Sequence, residues 1–118
     1  DWARQRQVGG EPLAAKQGIQ WKLADMKTRL EAAWLLTLQA CAKRQAGVPY
    51  SMESSMCKLY ASEAAAFITD EALQIHGGYG FTRELPLERY VRDARIMRIY
   101  EGSSEIQRTV IARGVLQH

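Results

Sequence analysis

The sequence contains few of the residues that build metal sites, disulfides or nucleophilic active sites. Among 118 residues there are two cysteines, Cys41 and Cys57, and two histidines, His76 and His118. Neither cysteine has a second ligand at the spacing of a metal site, and no serine, histidine and acid have a spacing typical of nucleophilic catalysis. We therefore expect no metal ion. Because the two cysteines fall in different predicted helices, a reducing compartment is favoured over a disulfide.

Long apolar runs and one-sided charge are also lacking. No stretch approaches the roughly 18 apolar residues that a membrane span requires, and no signal-peptide pattern is found at Asp1. We expect no membrane span and a location in the cytoplasm, or in the mitochondrial matrix if the source is eukaryotic. The 16 basic and 13 acidic residues are interleaved along the chain, whereas nucleic-acid binding needs a concentrated basic stripe. Nucleic acid is therefore not an expected partner.

Most of the chain instead has the period of amphipathic α-helices, with apolar residues at steps of mostly three and four. Gly47-Val48-Pro49 ends the first long run, Ser51 can cap the second, and Ser104 to Gln107 match a capping box. The predicted helices are Pro12 to about Ala46, Met52 to His76, Pro86 to Ile99, and Ser103 or Ser104 to about Leu116. No segment alternates convincingly with period two, so strands are not expected. The predicted fold class is an all-α, antiparallel up-and-down helical bundle, one domain over residues 1–118.

The first residues have a pattern of their own. Asp1–Val8 is typical of the last turns of a helix capped by Gly9-Gly10, but no N-cap precedes it. We expect the chain to enter within this first helix, so that the bundle is truncated there. An uncovered apolar groove would follow, and it predicts self-association or a domain swap.

Two segments are candidates for chemistry. Glu101 stands where two predicted helices meet, and the N-terminal dipole of the second helix favours an ionised carboxylate of the kind that a base requires. Spacing alone favours the plainer interpretation of an acidic residue near a helix start. Gln74–Gly80 places three glycines after a helix, where the backbone can approach a bulky ligand, although on its own this pattern is most often a simple C-cap and turn. His76 alone is better explained as packed or solvated than as catalytic.

Several motifs together resemble the C-terminal helical domain of the acyl-CoA dehydrogenases. In chain order they are Met56–Ala64, Gln74–Gly80, Arg92–Ile96 and Ile99–Arg108, the last containing Ile-Tyr-Glu-Gly. Arg6–Leu13 and Leu23–Met26 are similar to the family's preceding segments. The resemblance covers essentially the whole chain.

The resemblance implies an FAD enzyme that removes two hydrogens from the α and β carbons of an acyl-CoA thioester, giving a trans-2-enoyl product. The glutamate of the family's IYEG motif, here Glu101, would be the base. Its own backbone N–H would help to stabilise the developing enolate oxygen, and Gly102 would leave room for the substrate.

The cofactor and the partners follow from the same resemblance. Arg6 and Gln17 correspond to flavin contacts, with Arg6 as a cation for the pyrophosphate. Gln74, Ile75, His76, Gly77 and Gly78 correspond to the stretch that meets the adenosine part of FAD from a neighbouring subunit. Ser103, Ser104 and Glu105 correspond to the segment beside the cofactor. A homodimer or homotetramer and an electron-transfer flavoprotein would be the protein partners.

Three interpretations remain open at this stage. The chain is part of an acyl-CoA dehydrogenase whose N-terminal helical domain and middle β-domain are absent here, or part of a related acyl-CoA oxidase, or a non-catalytic helical module that mediates oligomerisation. The unusual start at Asp1 favours the first. The sequence leaves open the length and branching of the acyl chain.

Overall fold

A computed structural model describes residues 1–117, and it is almost entirely helical. The elements in chain order are α1 (Trp2–Gln5), β1 (Gln7–Val8), β2 (Glu11–Pro12), a 3-10 turn (Leu13–Ala15), α2 (Gln17–Gln45), α3 (Ser51–His76), α4 (Gly78–Phe81), α5 (Leu87–Ile96) and α6 (Ser104–Leu116). The all-α fold class is confirmed. Within the described residues, no helix combines the length and the apolar character that crossing a membrane requires.

The two long helices, α2 and α3, form an antiparallel hairpin. Gly47 adopts a φ of 69° after α2, and the N–H of Val48 donates to the carbonyl of Lys43 while that of Gly47 donates to Arg44. This is a Schellman cap, so glycine is needed at Gly47 for the turn that the sequence predicts. The hairpin is also held at its middle, where Thr37 Oγ1 lies 3.1 Å from Cys57 Sγ.

Ion pairs hold both ends of this hairpin. Lys43 pairs with Glu53 near the turn, and Lys22 pairs with Glu71 at the opposite end. Glu53 is only 5% exposed, and its hydrogen bond from Lys43 keeps the pKa of the Glu53 carboxyl below its usual value. Because the two pairs lie at opposite ends, they are compatible with one register of the two helices.

Helices α5 and α6 both pack on α3, which is the central element. Small residues allow the close approach: Ala64, Ala94 and Ser104 are 3–4% exposed. A methyl group on Gly114 of α6 would lie 2.9 Å from the sulfur of Met52 on α3. Helices α5 and α6 therefore lie in direct contact with α3.

The chain is elongated and buries few large side chains. Its dimensions are 58 × 24 × 24 Å and its radius of gyration is 17.6 Å, against about 13.5 Å expected for a compact domain of this length. Within residues 1–117 the buried apolar residues are four alanines and Ile75, whereas Trp21, Trp34 and Leu35 of α2 are at least 60% exposed. One face of the helix layer is thus uncovered, as the sequence predicts.

The prediction for the N-terminal segment was wrong in three respects. Gly9 and Gly10 do not cap a helix that reaches Val8; with φ values of 62° and 83° they form the turn of a two-residue β-hairpin in which Gln7 pairs with Pro12. Two glycines in succession suit the tight turn that joins strands of this twist. The structure therefore contains short strands where none was expected. Since Pro12 belongs to β2, α2 begins at Gln17.

The region from Gly77 to the last helix also differs in detail. The predicted loop contains the short helix α4, and α5 ends at Ile96 instead of Ile99. Ser103, not Ser104, caps α6, its hydroxyl accepting from the Ile106 N–H at 3.5 Å. The predicted capping box is wrong because the Gln107 side chain donates to the preceding turn instead of accepting from the cap residue.

Candidate functional site

Glu101 occupies the turn between α5 and α6 in a backbone conformation that is rare for its residue type. Its φ is 54°, in the left-handed region, and the φ of Gly102 is 84°. A residue with a Cβ atom in this region costs about 1–2 kcal/mol. Glu101 is exposed, and its carboxylate makes no ion pair or hydrogen bond with any other residue of 1–117. The side chain is therefore free to meet a molecule outside this chain.

Two side chains hold the backbone of this turn. Lys58 Nζ, from α3, donates to the Gly102 carbonyl at 2.5 Å. Gln107 Nε2, from α6, donates to the same carbonyl at 3.1 Å and lies 3.5 Å from the carbonyl oxygen of Glu101. The backbone carbonyls of Glu101 and Gly102 are thus bound by side chains of α3 and α6.

Glu63 of α3 ties the two ends of the same turn together. Arg98 donates to one of its carboxylate oxygens at 2.8 Å, and the hydroxyl of Ser104 donates to the other at 2.9 Å. The hydrogen bond from Arg98, followed by that from Ser104, keeps the pKa of the Glu63 carboxyl below its usual value. The backbone N–H of Ser104 also donates to the carbonyl of Arg98 at 3.0 Å. The turn is consequently closed on itself as well as fixed to α3.

The first turn of α6 lies beside Glu101. Ser103 caps the helix, Ser104 is buried, and Glu105 is exposed. Hydrogen bonds from its own backbone N–H and from the Ser103 side chain lower the pKa of the Glu105 carboxyl. The three predicted cofactor residues of this segment are therefore brought together with Glu101 and Gly102.

A second group of predicted residues surrounds the end of α3. The indole of Trp2 stacks on the His76 ring at 5.0 Å, and the Arg6 guanidinium lies 5.8 Å from the centre of the Tyr79 ring. Trp2 also contacts Tyr79, with ring centres 5.5 Å apart. His76 Nδ1 lies 2.7 Å from the carbonyl of Ala72, and since a carbonyl only accepts, Nδ1 carries the proton. Helix α1 therefore brings Arg6 to the turn at Gly77 and Gly78, which we call the glycine turn.

The glycine turn offers backbone rather than side chains. Gly77 has a φ of 61°, and apart from the adjoining residues and the local helix backbone, no atom of the described chain lies within 4 Å of the Cβ position at Gly77 or Gly78. Gln74 is exposed, whereas Ile75 is 8% exposed and its side chain belongs to the core. An approaching molecule would meet an unobstructed main chain here.

The remaining predicted residue, Gln17, stands apart from both groups. It is exposed at the first position of α2 and makes no side-chain hydrogen bond within residues 1–117. The two main groups are themselves well separated, because Lys58 and His76 lie about 27 Å apart along α3. Among the described residues, no cluster of histidine, cysteine or acidic side chains is suited to a metal ion.

Sequence reasoning missed the residues that hold the turn. Lys58, Glu63 and Gln107 carry no local signal, because a lysine, glutamate or glutamine within a helix is most often solvated. Trp2 stacks on the predicted cofactor residue His76, a contact that no local pattern in the sequence indicates. Only the capping pattern around Gln107 hinted that this residue does more than face solvent.

Residues 1–116 match the family model described as "Acyl-CoA dehydrogenase, C-terminal domain". The chain belongs to the acyl-CoA dehydrogenase family. The resemblance inferred from the motifs is therefore confirmed, and with it the assignment of this chain to the helical C-terminal part of the family.

Three relatives illustrate the range of the family. The chain is 56% identical to acryloyl-CoA reductase (NADH) of Anaerotignum propionicum over 92% of this chain and 27% of that protein. Butyryl-CoA dehydrogenase of Megasphaera elsdenii superposes with a TM-score of 0.95 at 43% identity, over 98% of this chain and 30% of that one. The FAD complex of PigA superposes with a TM-score of 0.94 at 33% identity, over 97% and 30%. The chain thus spans less than a third of the length of each of these three proteins.

Proposed function

We propose that residues 1–118 are the C-terminal helical domain of an FAD-dependent acyl-CoA dehydrogenase, in which Glu101 removes the α proton of an acyl-CoA thioester. The observation that carries this proposal is the conformation of Glu101. A strained backbone, held in place by Lys58 and Gln107, presents a carboxylate that has no partner within residues 1–117. Conformational strain that surrounding contacts maintain is typical of functional positions.

The proposed reaction breaks two C–H bonds and forms one C=C bond. The α C–H bond breaks heterolytically, its proton passing to a carboxylate oxygen of Glu101 while its electron pair forms the double bond. FAD, when bound, would supply the two-electron oxidant that the loss of the β hydrogen and its electron pair requires. The product is the trans-2-enoyl thioester, and the proton on Glu101 is released to solvent after the product leaves.

The backbone of the turn would assist proton removal. Negative charge develops on the thioester oxygen as the α proton departs, and a fixed N–H donor stabilises it best. The resemblance assigns this role to the N–H of Glu101, which the anchored turn keeps in one orientation. Gly102 has no side chain to obstruct the substrate beside it.

The residues present fit a flavin dinucleotide. Arg6 offers an exposed permanent cation suited to a pyrophosphate, and Gly77 and Gly78 leave their backbone bare for an adenosine group. The start of α6, with Ser103, Ser104 and Glu105, lies beside the base and would face the reactive end of the cofactor. Gln17 would add a polar contact, and Gln74, Ile75 and His76 would complete the adenosine contact.

The separation of the two groups supports a homodimer or homotetramer. The Glu101 turn and the glycine turn lie about 27 Å apart along one helix, so we assign them to different cofactors, with the glycine turn reaching the FAD of a neighbouring subunit. An acyl-CoA is the substrate in this proposal, and an electron-transfer flavoprotein reoxidises the flavin. Oxygen as acceptor, as in the acyl-CoA oxidases, is the alternative for that last step.

The reverse reaction is a second candidate, because acryloyl-CoA reductase is 56% identical to this chain. In that direction a protonated Glu101 would donate its proton to the α carbon. The non-catalytic alternative is disfavoured by the anchored turn, because a module that serves only oligomerisation has no need of a glutamate in the left-handed region.

The test uses the full-length protein that carries this chain, purified with FAD. Glu101→Gln should reduce acyl-CoA turnover at least about 1,000-fold while FAD content and subunit assembly stay unchanged, because the amide cannot accept the α proton. Glu84→Gln is the matched control, since Glu84 is exposed in the segment between α4 and α5, and it should retain full activity. Turnover supported by a reduced electron donor and an enoyl-CoA would instead favour the reductase. Wild-type turnover in Glu101→Gln would exclude Glu101 as the base.

A further inference from the structure

The conformation of Glu101 depends on contacts that come from outside its own turn. Left to itself, a glutamate prefers the right-handed or extended regions, because its Cβ atom is crowded in the left-handed region. The turn lies between two helices of 10 and 13 residues. Small shifts of these helices would allow Glu101 to relax unless another element restrains it.

Glu63 of α3 restrains the two ends of this turn through Arg98 and Ser104, and Lys58 is the long-range restraint on its central carbonyl. It is separated from Gly102 by 44 residues in the chain, and its ammonium group donates to the Gly102 carbonyl at 2.5 Å. The hydrogen bond is charge-assisted, and such bonds are roughly twice as strong as neutral ones. Gln107 binds the same carbonyl but belongs to α6 and moves with it. Of the two side chains that bind this carbonyl, only Lys58 belongs to α3, so Lys58 fixes the carbonyl relative to that helix.

The partner of Lys58 distinguishes it from other lysines of the hairpin. Lys22 and Lys43 each pair with a glutamate across α2 and α3. Lys58 is half-buried and has no carboxylate partner within residues 1–117, although a buried ammonium is best stabilised by one. Its ammonium group instead donates to the backbone carbonyl of Gly102, the residue that follows the proposed base.

We propose that Lys58 is the positioning residue for Glu101. By fixing the Gly102 carbonyl, its ammonium sets the peptide plane after Gly102 and thereby keeps Glu101 in the left-handed region, with its carboxylate directed to one place. Lys58 does not touch the substrate in this proposal. The inference rests on the proposed role of Glu101 as base, and it adds the residue that gives this base its geometry.

Kinetics on the full-length protein with FAD bound test the proposal. Lys58→Met keeps the length of the side chain but removes the donor, and we expect the rate constant for anaerobic flavin bleaching by acyl-CoA to fall about 10- to 100-fold. The bleaching amplitude, FAD content and KM should stay within about twofold of the wild type. Lys58→Arg, which retains a cationic donor, should recover most of the lost rate. The matched control is Lys22→Met, which removes an ion pair of α2 and α3 and should leave the rate constant unchanged.

The amplitude separates positioning from a merely structural role. A structural defect leaves fewer active molecules, so the amplitude would fall while the rate constant of the surviving molecules stayed the same. A crystal structure of Lys58→Met provides a readout that does not depend on activity: the φ of Glu101 should leave the left-handed region. Retention of a φ near that of the wild type, or an unchanged rate constant at full amplitude, would overturn the proposal.

If Lys58→Met does not retain FAD, Lys58→Leu replaces it, since leucine also lacks a donor, and bleaching by that variant within twofold of the wild-type rate would also overturn the proposal. The role of Glu101 is judged separately from Glu101→Gln. An active Glu101→Gln removes the proposed function, whereas an inactive Glu101→Gln with a fully active Lys58→Met removes only the role of Lys58.

Discussion

Ser104 and Glu63 join the start of α6 to the middle of α3 through a hydrogen bond of 2.9 Å. Ser104 is 4% exposed, and the carboxylate that it reaches also accepts from Arg98 at the end of α5. One acidic side chain therefore fixes both helices that flank Glu101. The geometry of the proposed base depends on Glu63 remaining ionised.

This dependence predicts an acid-sensitive contribution to stability. The folded-state pKa of Glu63 is lowered, chiefly by the hydrogen bond from Arg98. The carboxylate therefore contributes stability that is fully present above its unfolded-state pKa and is lost as the pH falls through the lower folded-state value. Glu63→Gln should remove this contribution, so that the unfolding free energies of the variant and the wild type converge as the medium becomes acidic.

Urea unfolding of the full-length holoprotein across the acidic range measures the effect. The difference between wild type and Glu63→Gln should be largest near neutral pH. Glu84→Gln serves as the control for loss of an exposed carboxylate, and its unfolding free energy near neutral pH should lie closer to the wild type than that of Glu63→Gln. A gap between Glu63→Gln and wild type that stays constant down to the acid transition would contradict the assigned ion pair.

Gly80 provides a packing prediction at the other end of α3. A Cβ atom at Gly80 would lie 2.6 Å from the carbonyl oxygen of Leu73 and 2.8 Å from the Cβ of His76. The first of these is rigid backbone, so Gly80→Ala must displace α4, at a cost of about 1–3 kcal/mol. It should also disturb the stacking of Trp2 on His76 and weaken FAD retention.

Gly18 is the matched control for this substitution. It lies near the start of α2, and apart from its chain neighbours and its own helix backbone, no atom of the described chain lies within 4 Å of its Cβ position. Gly18→Ala should therefore stabilise the protein by about 0.5–1 kcal/mol. Thermal melting and the FAD-to-protein ratio after gel filtration report both effects. Equal melting temperatures for the two variants would be inconsistent with the packing of Gly80.

The uncovered face of α2 predicts the behaviour of the chain on its own. Leu30 and Trp34 are 53% and 60% exposed, and they lie one turn apart on the same face. Residues 1–118, expressed alone, should therefore associate with one another and retain no FAD after gel filtration. Sedimentation of Leu30→Glu/Trp34→Glu should show a shift toward the monomer. The same charges placed at the exposed Gln39 and Gln45 should leave association unchanged, and a monomeric unmodified chain would refute the prediction.

The long helices were predictable because their signals are local and mutually consistent. Apolar periodicity marks α2 and α3, and Gly47-Val48-Pro49 can only end a helix, as the Schellman cap shows. The turn at Gly9-Gly10 was not predictable in the same way. Paired glycines suit a helix cap and a hairpin turn equally well, and the hairpin is stabilised by contacts such as the 2.7 Å hydrogen bond from the Leu13 N–H to the Arg6 carbonyl.

The sequence motifs predicted which residues form the candidate site, but not which residues hold that site in place. Glu101 was found through the sequence around it, but its positive φ was not, because glutamate has no special tendency to adopt one. The contact between Lys58 and Gly102 joins positions 44 residues apart, and no local pattern encodes such a pairing. Interactions that position a functional group from a distance become visible only in the folded chain.

The most direct test of the account is a single turnover of the full-length protein in the absence of oxygen, with acyl-CoA in excess and the flavin absorbance recorded. We predict that Glu101→Gln binds the thioester but keeps its flavin fully oxidised over the time in which the wild type is completely bleached. Glu101→Asp, which retains a carboxylate on a shorter side chain, should bleach slowly to the full amplitude. Bleaching of Glu101→Gln at the wild-type rate would show that another group removes the α proton, and would contradict the central claim.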